Sequence, residues 1–322
     1  MGLAIGLYIV ILLSLLNWGL PGKDRVFVYH MDEWHQLKAI EAIWQQGTNN
    51  VAGAAHGPMF HFLISGAFLG VFKLIGLVKP ELISSAVTGL EMQQMIFKLL
   101  RLNTLLFGLG AIWVLYLILT RAFKIKPEMG LLLFIFSPVW LISSNYFKYD
   151  VGLIFWILSA LYLMMLFGKE LTGKRYLQAG IATGLALATK ISALPLAGLY
   201  IFSYFFYQRD WRKHLMWLVY GGAGLLLVFV FLGIPDVLFN RVNWREYQEF
   251  FQSNLVINPQ DTANYWLNRP WWWQLVLITL PMNLGYGLSF AWLSSVLKAK
   301  KILNKDGWLV LIGGIWVFLS LL

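Results

Sequence analysis

No cysteine occurs among the 322 residues, which excludes disulfides, thiol nucleophiles and cysteine-ligated metals and leaves the redox compartment open. Charge is also scarce: 12% of the chain is charged and 59% is hydrophobic. That is more apolar surface than a water-soluble core of this size could hide. Sustained period-two alternation is missing too, which argues against a lipid-embedded barrel. The apolar residues fall instead in continuous runs of about 17 to 25, the length that crosses a roughly 30 Å hydrocarbon core as helix. The first run, residues 3–20, has no basic stretch before it and no small-residue cleavage site after it, so it reads as a retained span and not a signal peptide. No internal repeat, low-complexity tract or soluble domain is evident.

The apolar segments are approximately 3–20, 58–78, 99–119, 129–146, 151–168, 177–189, 191–207, 216–234, 271–297 and 307–322. A net charge of +10 could point to nucleic acid, but the basic residues sit in short interhelical loops, 121–126, 169–175, 209–213 and 298–305. That placement is a topology signal and implies no nucleic-acid partner. If segment 58–78 does not fully cross, all four loops become cytoplasmic, and with their borders they hold 13 Lys/Arg against 4 of the 15 Asp/Glu. The expectation is therefore nine spans with the amino terminus inside, residues 58–78 forming an interfacial or re-entrant helix. Ten full crossings is the alternative.

The fold class expected is all-α, a polytopic transmembrane bundle forming one domain over 1–322, with external loops at 21–98 and 235–270. Within the first loop, Leu37, Ile40 and Ile43/Trp44 recur at helical spacing, the pattern of a helix lying along a membrane surface. Segments 177–189 and 191–207 are separated only by Lys190, which puts that lysine at the external end of a tight hairpin. The last run has no basic stop after it, so the chain reads as a piece of a longer protein.

Two groups of residues could carry chemistry. His30-Met31-Asp32-Glu33-Trp34-His35 offers carboxylates and imidazoles just beyond the first span, able to serve as base, acid or metal ligand. A solvated loop is the plain alternative. Asn145-Tyr146-Phe147-Lys148-Tyr149-Asp150 is a short turn assigned to the same side; an ionisable pair at that depth must be partnered or wet. His56, Arg101 and Lys190, on that side as well, are cations suited to a phosphate, although each alone could simply snorkel. In the loop 235–270, Tyr265 and its aromatic neighbours could face a sugar or a polyprenyl chain, while the tryptophans at 271–273 fit an interfacial belt.

These residues carry a resemblance. An Asp-Glu pair in a long first external loop, His56-Gly57-Pro58 opening an apolar helix, Arg101-Leu102 in the following span, Asp150 after the next, and the stretch from Gly184 to Lys190 occur in matching order over about residues 25–200. Together they resemble the polytopic GT-C glycosyltransferases, in particular the protein O-mannosyltransferase and lipid A aminoarabinose transferase (PMT-like) group. The resemblance implies an integral, multi-pass protein of a plasma or inner membrane. It would transfer a sugar from a polyprenyl-phosphate carrier to a protein, lipid or glycan acceptor on the extracytoplasmic side. It assigns the base to Asp32, with Glu33 and Asp150 beside it, and the basic positions to His35 and His56. The chain departs from the family pattern at Gly57, where Pro is usual, and at His35, where Arg is common.

An inverting displacement at the anomeric carbon follows, Asp32 taking the acceptor's proton while Lys190, Arg101 and Lys148 compensate the leaving phosphate. No cofactor is required beyond the lipid-linked donor, and no metal ligands are assigned; a divalent-metal version using Asp32, Glu33, Asp150 and the nearby histidines is an alternative. From another class the rival is a transporter or lipid flippase, whose site would lie nearer mid-membrane.

Overall fold

The computed structural model describes residues 2–239, apart from 26, 48–49, 52–53, 56–57, 79–88, 125 and 209. His56, Tyr265, the apolar segments beyond 270 and the basic loop 298–305 lie outside the described residues. Apart from a two-residue ladder, Asn50–Val51 with Ala54–Ala55, the described chain is helical. It forms a polytopic all-α bundle.

The helices are α1 (Gly2–Ser14), α2 (Met31–Gln46), α3 (Phe60–Leu74), α4 (Leu90–Leu117), α5 (Glu128–Ile135), α6 (Pro138–Asn145), α7 (Tyr149–Glu170), α8 (Gly173–Thr189), α9 (Leu194–Tyr207), α10 (Leu215–Val228) and the single turn α11 (Pro235–Leu238). Wider π-helical turns extend α4 to Ala122 and α10 to Gly233. Three continuous helices, Leu90–Ala122, Tyr149–Glu170 and Leu215–Gly233, are long and apolar enough to cross a bilayer, and the α5–α6 pair makes a fourth if counted as one span.

Segment 129–146, expected as one continuous span, is broken. Ser137 adopts an extended conformation and the axis turns by 57° between α5 and α6. Pro138 explains this: it has no N–H to give the preceding turn, and its ring disfavours helical geometry at Ser137. Segment 177–189 is longer than expected, because Thr172 caps α8 by accepting a hydrogen bond from the Arg175 N–H. Seventeen residues give α8 a length of about 26 Å.

Two ends of the bundle are well separated. At one end, Lys169 Nζ donates to the Arg121 carbonyl (2.6 Å), Gly168 lies against the Tyr207 ring, and Gly173 lies against Trp217. The basic segments around residues 121 and 169–175 thus gather there, beside Tyr207 and Trp217 on the helices that flank the third. At the other end the carboxyl ends of α1, α8 and α10 meet the amino ends of α3 and α7; the Met59 N–H, for example, donates to the Gly233 carbonyl (2.7 Å). The 22 residues of α7 span about 33 Å between the two ends.

Helix α3 enters the bundle only part of the way. His61 is level with Phe107 and Gly152, Ser65 accepts a hydrogen bond from Asn103 (2.9 Å), and Lys73 at the other end faces Trp44 of α2. The apolar stripe of α2, read as facing a membrane surface, packs on protein instead: Leu37 and Ile40 share a buried cluster with Phe62, Leu69, Ile96 and Leu100.

The pairing of α8 with α10 rests on small residues. A Cβ on Gly180 would come within 2.5 Å of the Gly221 carbonyl oxygen, and one on Gly184 within 2.6 Å of the Leu225 carbonyl oxygen. Glycine at both positions lets the two backbones approach closely, the packing available where lipid removes a hydrophobic driving force. A crevice of about 280 Å³ lined by Leu3, Leu7, Leu131, Leu132 and Phe136 opens between α1 and α5, away from the acidic end.

Candidate active site

Asp32 and Glu33 lie in the first turn of α2, where the helix dipole favours carboxylates. Neighbours on a helix point about 100° apart, and here that step sends them into different environments. Asp32 is half exposed and Glu33 is fully buried.

Glu33 is enclosed by donors. Arg101 Nε and Nη2 reach its two oxygens at 2.9 and 2.8 Å, and the Phe147 N–H donates to Oε1 at 2.8 Å. Arg101 Nη1 donates to the carbonyls of Leu16 (3.0 Å) and Trp18 (2.7 Å), and the Tyr146 ring stands 5.7 Å from the guanidinium. One ion pair thereby joins the end of α1, the start of α2, the body of α4 and the turn before α7. Burial, and next the Glu33 carboxylate, raise the Tyr146 phenol above its ordinary value.

The remaining charges form an alternating row. Lys148 Nζ lies 2.8 Å from Asp32 Oδ2 and 3.9 Å from Asp150 Oδ2, and Lys190 Nζ lies 3.0 Å from Asp150 Oδ1. Asp150 is in the first turn of α7 and Lys190 caps the carboxyl end of α8, each at the helix end that suits its charge. Lys190 also stands 4.7 Å from the Tyr149 ring centroid. Burial would raise the Asp32 carboxyl, but the hydrogen bond and charge of Lys148, helped by His30 and His35, hold it below its ordinary value. Both contacts on Asp32, from Lys148 and from His30 Nδ1 at 3.7 Å, fall on Oδ2. Among the described residues Oδ1 carries no ion-pair contact.

His35 is exposed, one helical turn beyond Asp32. The structure thus brings Asp32, Lys148, Asp150 and Lys190 into one row, with His35 at its margin and Glu33 and Arg101 in a buried pair behind it. Among the described residues, no three His, Asp or Glu side chains converge as metal ligands.

Two histidines without an assigned role sit beside the row. His30 precedes α2 and packs on Tyr146 at 4.7 Å, and its presence in the acidic cluster was the available signal. His61 is buried beneath the turn that carries Lys148, stacked on Phe147 at 5.4 Å, and burial pushes its imidazole down to about 4 despite the opposing charge of Asp150. A lone histidine in an apolar run gives no sequence signal for that position.

No curated protein matches the chain, and no solved structure does. The family described as dolichyl-phosphate-mannose-protein mannosyltransferase matches residues 25–251, which include Asp32, Glu33, Arg101, Lys148, Asp150 and Lys190. A match over more than half of the sequence, on a polytopic helical bundle, makes this chain a member of the dolichyl-phosphate-mannose-protein mannosyltransferase family, a family of membrane glycosyltransferases.

Proposed function

We propose that the protein transfers a sugar from a polyprenyl-phosphate carrier to an acceptor hydroxyl on the non-cytoplasmic face, with inversion at the anomeric carbon. Family membership favours mannose as the sugar and a protein as the acceptor. One observation carries the reading: the row Asp32–Lys148–Asp150–Lys190 stands at the end of the bundle opposite the basic segments. Basic loops mark the cytoplasmic side, so the row would face the other compartment.

In the proposed step, Asp32 Oδ1 accepts the proton of the acceptor hydroxyl as its oxygen bonds to the anomeric carbon. The bond from that carbon to the carrier phosphate oxygen breaks, and its electron pair leaves with the phosphate. Lys148 and Lys190 neutralise that charge, and Asp150 holds both ammonium groups in place until the donor arrives. A phosphate so compensated is a good leaving group, so positioning and electrostatics carry most of the catalysis.

Glu33, expected beside the base as a catalytic residue, and Arg101, expected as a phosphate ligand, are here given a positioning role. Their polar atoms are already matched to each other and to the backbone. His35, exposed beside Asp32, keeps its proposed part in substrate binding.

The test is transfer by the purified protein in liposomes. Polyprenyl-phosphate mannose with a Ser/Thr-containing peptide should give an α-linked product if the donor is β-linked, and Asp32→Asn should remove it. A product that keeps the donor's configuration would overturn the inverting step. Absence of transfer from every polyprenyl-phosphate sugar would overturn the donor class.

A further inference from the structure

Two observations converge on one oxygen atom. Lys148 is shared between two carboxylates, with its shorter contact on Asp32 Oδ2 and its longer one on Asp150. His30 Nδ1 is buried, has no hydrogen-bond partner among the described residues and lies 3.7 Å from the same Oδ2. A buried ring nitrogen without a partner is costly, and with Lys148 at 2.8 Å the nearby Oδ2 stands beyond hydrogen-bond reach of it. The His30 ring is held in place against Tyr146, itself fixed between Trp18 and the Arg101 guanidinium. Lysine, by contrast, carries its charge on a flexible stem.

We propose that Lys148 is a latch on Asp32 released by the donor. An arriving phosphate ester draws the ammonium away from Oδ2, the released carboxylate turns Oδ2 toward the fixed His30 ring and accepts its Nδ1–H, and Oδ1 is left to take the acceptor's proton. The inference rests on the reading of Asp32 as base and of a polyprenyl-phosphate donor. It makes His30 and Lys148 positioning residues and orders the reaction, because Asp32 loses its competing cation only when the donor is bound. A phosphate oxygen is a strong charge-assisted acceptor for lysine, and Lys148 reaches it by exchanging one anionic partner for another.

A zero-length carbodiimide cross-link tests the latch. The reagent joins a paired carboxylate and amine as an amide, itself taking up the water lost, and peptide mass identifies the product. In the full chain in detergent, an Asp32–Lys148 cross-link is expected, together with a Lys38–Glu41 cross-link as internal reference, that pair being 3.1 Å apart. Saturating polyprenyl monophosphate should reduce the first severalfold and leave the second unchanged, whereas the same concentration of inorganic phosphate should change neither. Retention of radiolabelled lipid, measured in the same samples, separates the outcomes. Retained lipid with an undiminished Asp32–Lys148 product overturns the latch alone, as does equal suppression by inorganic phosphate. No retention overturns the latch and the donor class together.

The His30 half has its own readout. His30→Phe keeps a ring against Tyr146 but lacks Nδ1, and is expected to lower kcat about tenfold, the worth of a hydrogen bond to a charged group, with donor KM unchanged. His30→Asn, which returns a donor near that position, should recover most of the loss. Equal losses in both variants, or a change confined to donor KM, would overturn this assignment.

Discussion

Glu33 and Arg101, 68 positions apart, meet in a two-point fork of 2.9 and 2.8 Å from which water is excluded. The fork also holds the Phe147 amide, so the turn that presents Lys148 and Asp150 is suspended from it. Removing one partner leaves a buried charge unmatched, while removing both leaves only backbone groups in need of partners.

Glu33→Gln or Arg101→Met is therefore expected to cost about 3–5 kcal/mol of stability. The double variant Glu33→Leu with Arg101→Met should lose less than the sum of the two. Unfolding in mixed micelles measures all three; single variants as stable as the parent would refute a structural role for the pair.

Asp32 is half exposed and its close ion pair with Lys148 is partly solvated, a pairing worth about 1 kcal/mol or less, so Asp32→Asn should shift the unfolding midpoint little while lowering transfer about 10²–10⁴-fold, the range for loss of a general base. A parallel loss of folding and activity would instead make the residue a structural one.

Acid should act on Asp32 through Lys148. A carboxyl held below its unfolded value stabilises the fold above that value, and the contribution disappears as pH falls through the lower folded one. Starting from an unfolded value of 3.8, this loss lies in the acid range below it. Lys148→Met removes the downward pull, so its acid-unfolding midpoint should move to higher pH.

His61 acts in a different window. Burial lowers its folded value from 6.5 to about 4, so the folded protein binds fewer protons than the unfolded chain between those limits. Stability is full above 6.5, falls as pH drops toward 4 and changes no further below it, by an amount on the order of 3 kcal/mol. His61→Phe retains a ring against Phe147 and should flatten the stability profile across that interval.

Gly184→Val would drive a side chain into the Leu225 carbonyl, where backbone and not a flexible side-chain tip must give way. A loss of about 1–3 kcal/mol is expected. Because α8 ends at Lys190, the same change should weaken the Lys190–Asp150 pairing and raise donor KM.

Much of this architecture was legible in the residue order. Apolar run lengths gave the helices, and the charge count by loop assigned Asp32, Asp150 and Lys190 to one side of the membrane before any contact was known. The break at Ser137 was also available, since Pro138 stands inside segment 129–146, but hydropathy is blind to a missing N–H. The fate of Glu33 was not readable: adjacent carboxylates look equivalent in a string, and only the rotation of α2 against α4 sends one inward to Arg101. Nor could spacing show that Lys148 would lie between two acids, because that depends on the angle at which α7 leaves the turn.

Arg101 is held by the carbonyl oxygens of Leu16 and Trp18, atoms that every residue type supplies. Selection at these two positions therefore acts on chain register more than on side-chain identity. Many replacements there should pass unnoticed, whereas inserting or deleting a single residue between them would misalign the guanidinium and be felt across the membrane face, at a lysine more than 120 positions away.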